Sequence, residues 1–147
     1  MQLREMSDDD CIEFLGNHTF GHLGCNGEQY PYLVPIHYAY EGRRLFMFSM
    51  PGLKIDRLRA NPLASFQAEE LHQDRRWKSV LVQGRFEELT DNPQRRNERI
   101  HAWSLLEKRV LWWEPGSFTF GSDTDGTSEG PIFLSLSIEL LSGRQTI

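Results

Sequence analysis

The sequence predicts a mainly β chain of the α+β class, an antiparallel barrel with appended helices. Three observations predict it: six runs whose apolar residues favour period two, short turns between most of them, and three helical segments with start signals of their own. At 147 residues the chain suits a single domain, 1–147, around one core, with no internal repeat or linker to divide it.

Ser7 followed by Asp8, Asp9 and Asp10 marks the first helix start, a capping hydroxyl ahead of carboxylates near the positive end of the helix dipole. That helix should run to about Leu15 and stop near Gly16-Asn17. Thr19 to Cys25 then suits a strand with a turn at Asn26-Gly27, and Tyr30 to Tyr40 a second strand. In the second strand Tyr32, Val34, Ile36, Tyr38 and Tyr40 share one face and Leu33, Pro35, His37 and Ala39 the other, so both faces are expected to be covered. Pro35 has no N–H to give a ladder, which implies a bulge or an unpaired stretch there, with backbone groups open to a ligand.

Glu41-Gly42-Arg43-Arg44 turns the chain into a third strand, Leu45 to Ser49. Met50 to Lys54 forms a turn that opens a short basic helix, which Asn61-Pro62 ends because a residue before proline avoids helical geometry. Ala64 to Ala68 is a fourth strand, and the polar run Glu69 to Arg76 reads as a loop. Trp77 to Leu89 is the longest strand, Val80, Val82, Gly84 and Phe86 alternating with Ser79, Leu81, Gln83 and Arg85. Asn92-Pro93 reads as the start of a third helix in which Ile100, Trp103 and Leu106 form an apolar stripe. The last strand is Pro131 to Leu140.

Composition excludes several functions. A net charge of −5 without a basic run argues against nucleic acid as a partner, since backbone phosphates require clustered Lys and Arg. No stretch approaches the roughly 18 apolar residues of a membrane span, and the polar, acidic first ten residues do not resemble a secretion signal. Cys11 and Cys25 form no Cys-x-x-Cys motif and read as buried spectator thiols of a reduced, cytoplasmic protein. His18 and His22 have helical ligand spacing in a segment that reads as a strand, so no metal site is expected.

Gly52-Leu53-Lys54 carries the chemistry. Glycine admits an anion close to the backbone, a helix start offers unpaired N–H groups, and Lys54 adds a full charge; Arg57 lies one turn on, and Ser49 ends the preceding strand with a hydroxyl. Alone, such a triplet is more often an ordinary solvated helix start. His37 is a packed histidine or an acid-base group. Trp77 and the Trp112-Trp113 pair stack on a ligand or fill core and interface.

Taken in order, Val34-Pro35-Ile36-His37-Tyr38, Leu45-Phe46-Met47-Phe48-Ser49, Gly52-Leu53-Lys54, Leu58-Arg59-Ala60-Asn61-Pro62 and Trp77 to Gly84 resemble the pyridoxamine 5′-phosphate oxidase-like split-barrel flavoproteins. The resemblance covers residues 8 to 90 well and the last strand more loosely. It implies a six-stranded split β-barrel that binds FMN where two subunits of a homodimer meet. It further implies hydride transfer between the flavin and a small-molecule electron donor or acceptor. Lys54 and Ser49 match the phosphate grip, the backbone of Pro35, Ile36 and His37 the bed of the flavin ring, Ser79 and Gln83 its edge, and Phe48 the ribityl chain. Trp77 and Trp113 join the cofactor set as stacking candidates.

Two departures follow from the same comparison. Many relatives are basic just before the lysine, where this chain has Leu53, which leaves that contact to Arg57. The oxidases proper carry a basic, histidine-bearing segment where this chain has Leu140-Leu141-Ser142-Gly143-Arg144, so vitamin B6 oxidation is not implied. The open alternatives are a flavin-binding module without turnover, or a haem- or deazaflavin-binding relative with His37 and His22 as haem ligands.

Overall fold

The computed structural model describes residues 1–108 and 130–147. In chain order the elements are β1 (Leu3–Glu5), α1 (Asp8–Asn17), β2 (Phe20–Cys25), β3 (Tyr32–Glu41), β4 (Arg44–Ser49), α2 (Leu53–Ala60), β5 (Leu63–Leu71), β6 (Trp77–Leu89), α3 (Arg96–Glu107) and β7 (Ile132–Thr146). The strands lie in the order β1-β7-β4-β3-β2-β5-β6, and β6 also pairs with β7. Six antiparallel strands thus close into a barrel, with β1 added along the end of β7. No helix among the described residues is long and apolar enough to cross a membrane.

Alternation decides what fills the barrel. On β6, Val80, Val82, Gly84 and Phe86 are buried while Leu81, Gln83 and Arg85 are exposed, as the sequence pattern requires. Tyr38, Met47, Phe66 and Leu134 meet these residues in the main core. Helix α1 adds Cys11, Phe14 and Leu15 to that core, and the Tyr38 hydroxyl donates to the Leu15 carbonyl at 2.8 Å. Ser7 caps α1 by accepting from the Asp10 N–H. A smaller cluster lies outside the barrel wall, where α3 covers Ala39, Phe46, Leu89 and Phe133.

Several expectations are corrected. The run from Glu69 is no loop as far as Leu71: β5 continues through these residues, paired with Trp77 to Ser79, and the turn occupies only 72–76. Asn92 caps a turn, accepting from the N–H groups of Gln94 and Arg95, and α3 begins at Arg96. Its buried residues are Ala102 and Leu106, whereas Ile100 and Trp103 are exposed, so of the expected stripe Leu106 alone faces the core and Ala102 joins it. β7 extends to Thr146, held by pairing with β6 and β1; a register shift opposite Gln83/Gly84 breaks its alternation and hides the second half of the strand from a period-two reading.

β3 is covered on both faces only in part. Ala39 is buried under α3, but Leu33 is 68% exposed on the same face. The expectation at Pro35 holds in its second form, since β3 keeps an unbroken register with β2 yet meets β4 only from Tyr38 to Glu41. The Tyr38 N–H donates to the Thr19 carbonyl. Strand alternation therefore turns Val34 and Ile36 toward β2, and the backbone of Leu33, Pro35 and His37 toward the open side. The missing proline N–H costs no ladder bond, and β3 and β4 part below Tyr38.

Barrel closure imposes a further constraint, because a Cβ at Gly84 would overlap the Ser137 carbonyl oxygen. Gly84→Ala is expected to cost about 1–3 kcal/mol. Gly16→Ala in α1, where nothing lies within 4 Å, should stabilise by up to about 1 kcal/mol. Urea unfolding of the two variants checks both signs.

Candidate functional site

Where β3 and β4 part, the end of β4 and the start of α2 sit beside β2. Ile55 and Leu58 anchor α2 in the core, which leaves Lys54 and Arg57 on another side of the helix. Ser49 faces the barrel interior with Leu45 and Met47. The Lys54 ammonium donates to Ser49 Oγ at 2.7 Å, and that hydroxyl donates to the Met50 carbonyl at 2.8 Å. Sequence reasoning placed Ser49 and Lys54 together, and the structure joins them.

Electrostatics set this pair apart. Lys54 is partly buried, and burial lowers its pKa from the ordinary lysine value, with only a small opposing effect from Cys25. No carboxylate among the described residues pairs with it. Arg57 has an Nε that is buried without a hydrogen-bond partner among the described residues, while its Nη1 lies 3.6 Å from Glu28 Oε1. Leu53, at the position before the lysine, is exposed. Lys54 in the first turn of α2 and Arg57 one turn on, with Glu28 paired to Arg57 alone, are an arrangement that can hold an anion.

Cys25 was missed as a neighbour of the seat. It is buried, unpaired in any disulfide, and burial raises its thiol pKa, so it stays a neutral wall. Its inward place at the end of β2 was readable from alternation with Leu23; its closeness to Lys54 needed the fold. Glu28, in the loop between β2 and β3, carried no sequence signal.

The remaining expected contacts lie on the outer face of the sheet. His37 and Pro35 point outward from the open half of β3, and Ile36 points into the core. The His37 ring meets Phe20 edge-on at 4.9 Å, and its Nδ1 is buried without a hydrogen-bond partner among the described residues. Ser79 and Gln83 share this outer face but stand on β6, separated from β3 by β2 and β5. Three strand spacings amount to roughly 14 Å, so one subunit does not bring them to His37. Ser79 accepts instead from Gln67 Nε2 at 2.9 Å, a partner absent from the sequence reading. Gln83 lines a groove of about 490 Å³ with Gly24, Ser65, Glu139 and Leu140.

Trp77 opens β6 beside Ser79 and Arg144, at a smaller hollow of about 270 Å³. Phe48 faces the opposite way from Ser49 and packs near Phe133, with ring centroids 5.5 Å apart. Trp112 and Trp113 lie outside the described residues.

The Lys54 environment has a testable consequence for stability. A lysine whose folded pKa lies below its unfolded value burdens the folded state while charged; the burden is relieved as pH rises through the lowered pKa toward the ordinary 10.5. Lys54→Met is therefore expected to raise the thermal midpoint of ligand-free protein at pH 7, and the gain should shrink above the lowered pKa. Calorimetry between pH 7 and 10 measures the trend.

Residues 7–145 match the family described as pyridoxamine 5′-phosphate oxidase. An uncharacterized protein of Rhizobium meliloti (strain 1021) is 42% identical over 144 residues, spanning 98% of this chain and 95% of its own. Among solved structures, an FAD-binding protein from Mesorhizobium loti shares 41% identity with a TM-score of 0.82, and 100% of each chain is covered. The FAD binding protein of Mycobacterium smegmatis, at 16% identity and a TM-score of 0.66 over 96% of this chain and 95% of its own, shares the fold.

Proposed function

The chain belongs to the pyridoxamine 5′-phosphate oxidase family, and on that premise we propose that it is a split-barrel flavoprotein that binds FMN and acts as a flavin-dependent oxidoreductase. The observation that carries the reading is Lys54, a partly buried cation whose hydrogen bond goes to a neutral hydroxyl and whose charge no described carboxylate offsets. A phosphate supplies what it lacks. The fit extends to the two orphaned nitrogens, Arg57 Nε beside the seat and His37 Nδ1 on the open half of β3.

Each residue then has a task. Lys54 and Arg57 hold the phosphate, and Ser49 joins them by turning its hydroxyl away from the Met50 carbonyl. The backbone of Pro35 and His37, facing the open side, offers acceptors and one donor to the ring edge, and Ile36 supports that stretch from the core. Phe20 keeps the His37 ring in place. Phe48, Trp77 and Trp113 remain candidates for packing against the cofactor. Bound flavin would supply hydride acceptance and donation.

A homodimer supplies the rest of the site. Phe20, Leu33, Leu63, Leu81 and Leu140 are exposed on one outer face, an apolar surface suited to a second copy. Covering it would bring the partner's outer face over the open half of β3, which gives Ser79 and Gln83 a route to a flavin edge they do not reach within their own subunit. FAD is the second reading, favoured by the Mesorhizobium relative's name, since a pyrophosphate would engage the same cations.

Purified protein is expected to be yellow and to release a flavin whose mass distinguishes FMN from FAD. Lys54→Ala should weaken its binding by about tenfold or more. Colourless protein indifferent to both nucleotides would sink the proposal. Bound flavin that no nicotinamide or other small donor reduces anaerobically would make the chain a binding module, and light scattering reporting a monomer would remove the shared site.

A further inference from the structure

Arg57 carries two unequal demands. Its Nε is buried without an acceptor among the described residues, while Nη1 meets Glu28 Oε1 at 3.6 Å, beyond hydrogen-bond range. The Glu28 side chain is 86% exposed, against 27% for Arg57. An ion pair with one member almost wholly in water is weak and easily exchanged. It uses one nitrogen of a guanidinium fork built to hold two oxygens.

Glu28 is nevertheless held near this position. A Cβ at Gly27 would overlap the Tyr30 carbonyl oxygen, so the loop 26–31 keeps a course that glycine alone permits. Asn26 ties the start of that loop to β5 by donating to the Leu63 carbonyl at 3.2 Å. Between these constraints Glu28 is the described carboxylate paired with either cation of the seat.

We propose that Glu28 is a displaceable occupant of the anion seat: it holds Arg57 in the ligand-free protein, yields it to the phosphate of an incoming nucleotide, and by its charge sets the affinity for phosphorylated ligands. This rests on the flavin-nucleotide reading above. A phosphate outcompetes the carboxylate because it carries more charge and three acceptor oxygens, enough for Lys54 and both edges of Arg57 at once. Displacement breaks the ion pair between the 26–31 loop and α2, while Gly27 and Asn26 keep the loop on its course.

The test is Glu28→Gln, a charge-only change on an exposed loop, titrated with three probes: FMN, riboflavin and inorganic phosphate. FMN and inorganic phosphate are expected to bind about threefold tighter or more than to the unaltered protein, and riboflavin, which has no phosphate, equally well. Combining the change with Arg57→Ala should abolish the gain, because the two residues act on each other. Unchanged or weaker FMN and phosphate binding, or an equal gain for riboflavin, would overturn the proposal. If the unaltered protein ignores FMN, the flavin reading falls on its own, and the inorganic phosphate arm still decides the role of Glu28.

Discussion

Closure of the barrel along β6 and β7 is the constraint on which the molecule rests. These two strands share the longest register in the chain, from Lys78↔Gln145 to Leu89↔Phe133, and β7 also carries β4 and β1 on its other edge. Once that seam is shut, every strand has an inside and an outside. Ser49 is committed to the interior and Phe48 to the wall beneath α3; Pro35, His37, Ser79 and Gln83 are committed to the outer face. The seam tolerates no side chain at Gly84, where the Ser137 carbonyl crosses, and the register shift beside it turns the end of β7 toward β1.

Closure is incomplete elsewhere, where β3 meets β4 only from Tyr38 to Glu41. β3 and β4 separate below Tyr38, and α2, anchored in the core by Ile55 and Leu58, packs beside β2 with Lys54 partly desolvated. A lysine in that place weakens the empty protein. On the proposed reading, desolvation that is a liability without a ligand would become selectivity for an anion with one, since the same burial that penalises the bare ammonium would strengthen its attraction to a phosphate. Stability and ligand affinity would then be set against each other at one residue.

Most of the barrel was legible in the sequence because period two survives wherever one face of a strand is buried. Val80 to Phe86 shows this most plainly. Legibility failed where something besides burial governed the pattern. Glu69 and Glu70 look like loop residues yet continue β5, because the β6 ladder holds their backbone while their side chains meet solvent and the histidines His18 and His72. The short β1, exposed at all three residues, has no periodicity to betray it. Ser49 and Lys54 could be paired from spacing and resemblance. Glu28, Cys25 and Gln67 could not, since their roles come from contacts between distant segments.

The open half of β3 has a cost that concerns the cell more than the chemistry. A strand edge without a partner among the described residues, bearing an exposed Leu33, is a template on which other chains can add by backbone pairing. Pro35 removes one donor from the middle of that edge, and pairing with β4 from Tyr38 onward keeps the open stretch short, so the proline guards against aggregation. A subunit lacking whatever covers this edge would be the sticky form of the protein, and its occupancy would then govern how much chain remains dispersed during synthesis.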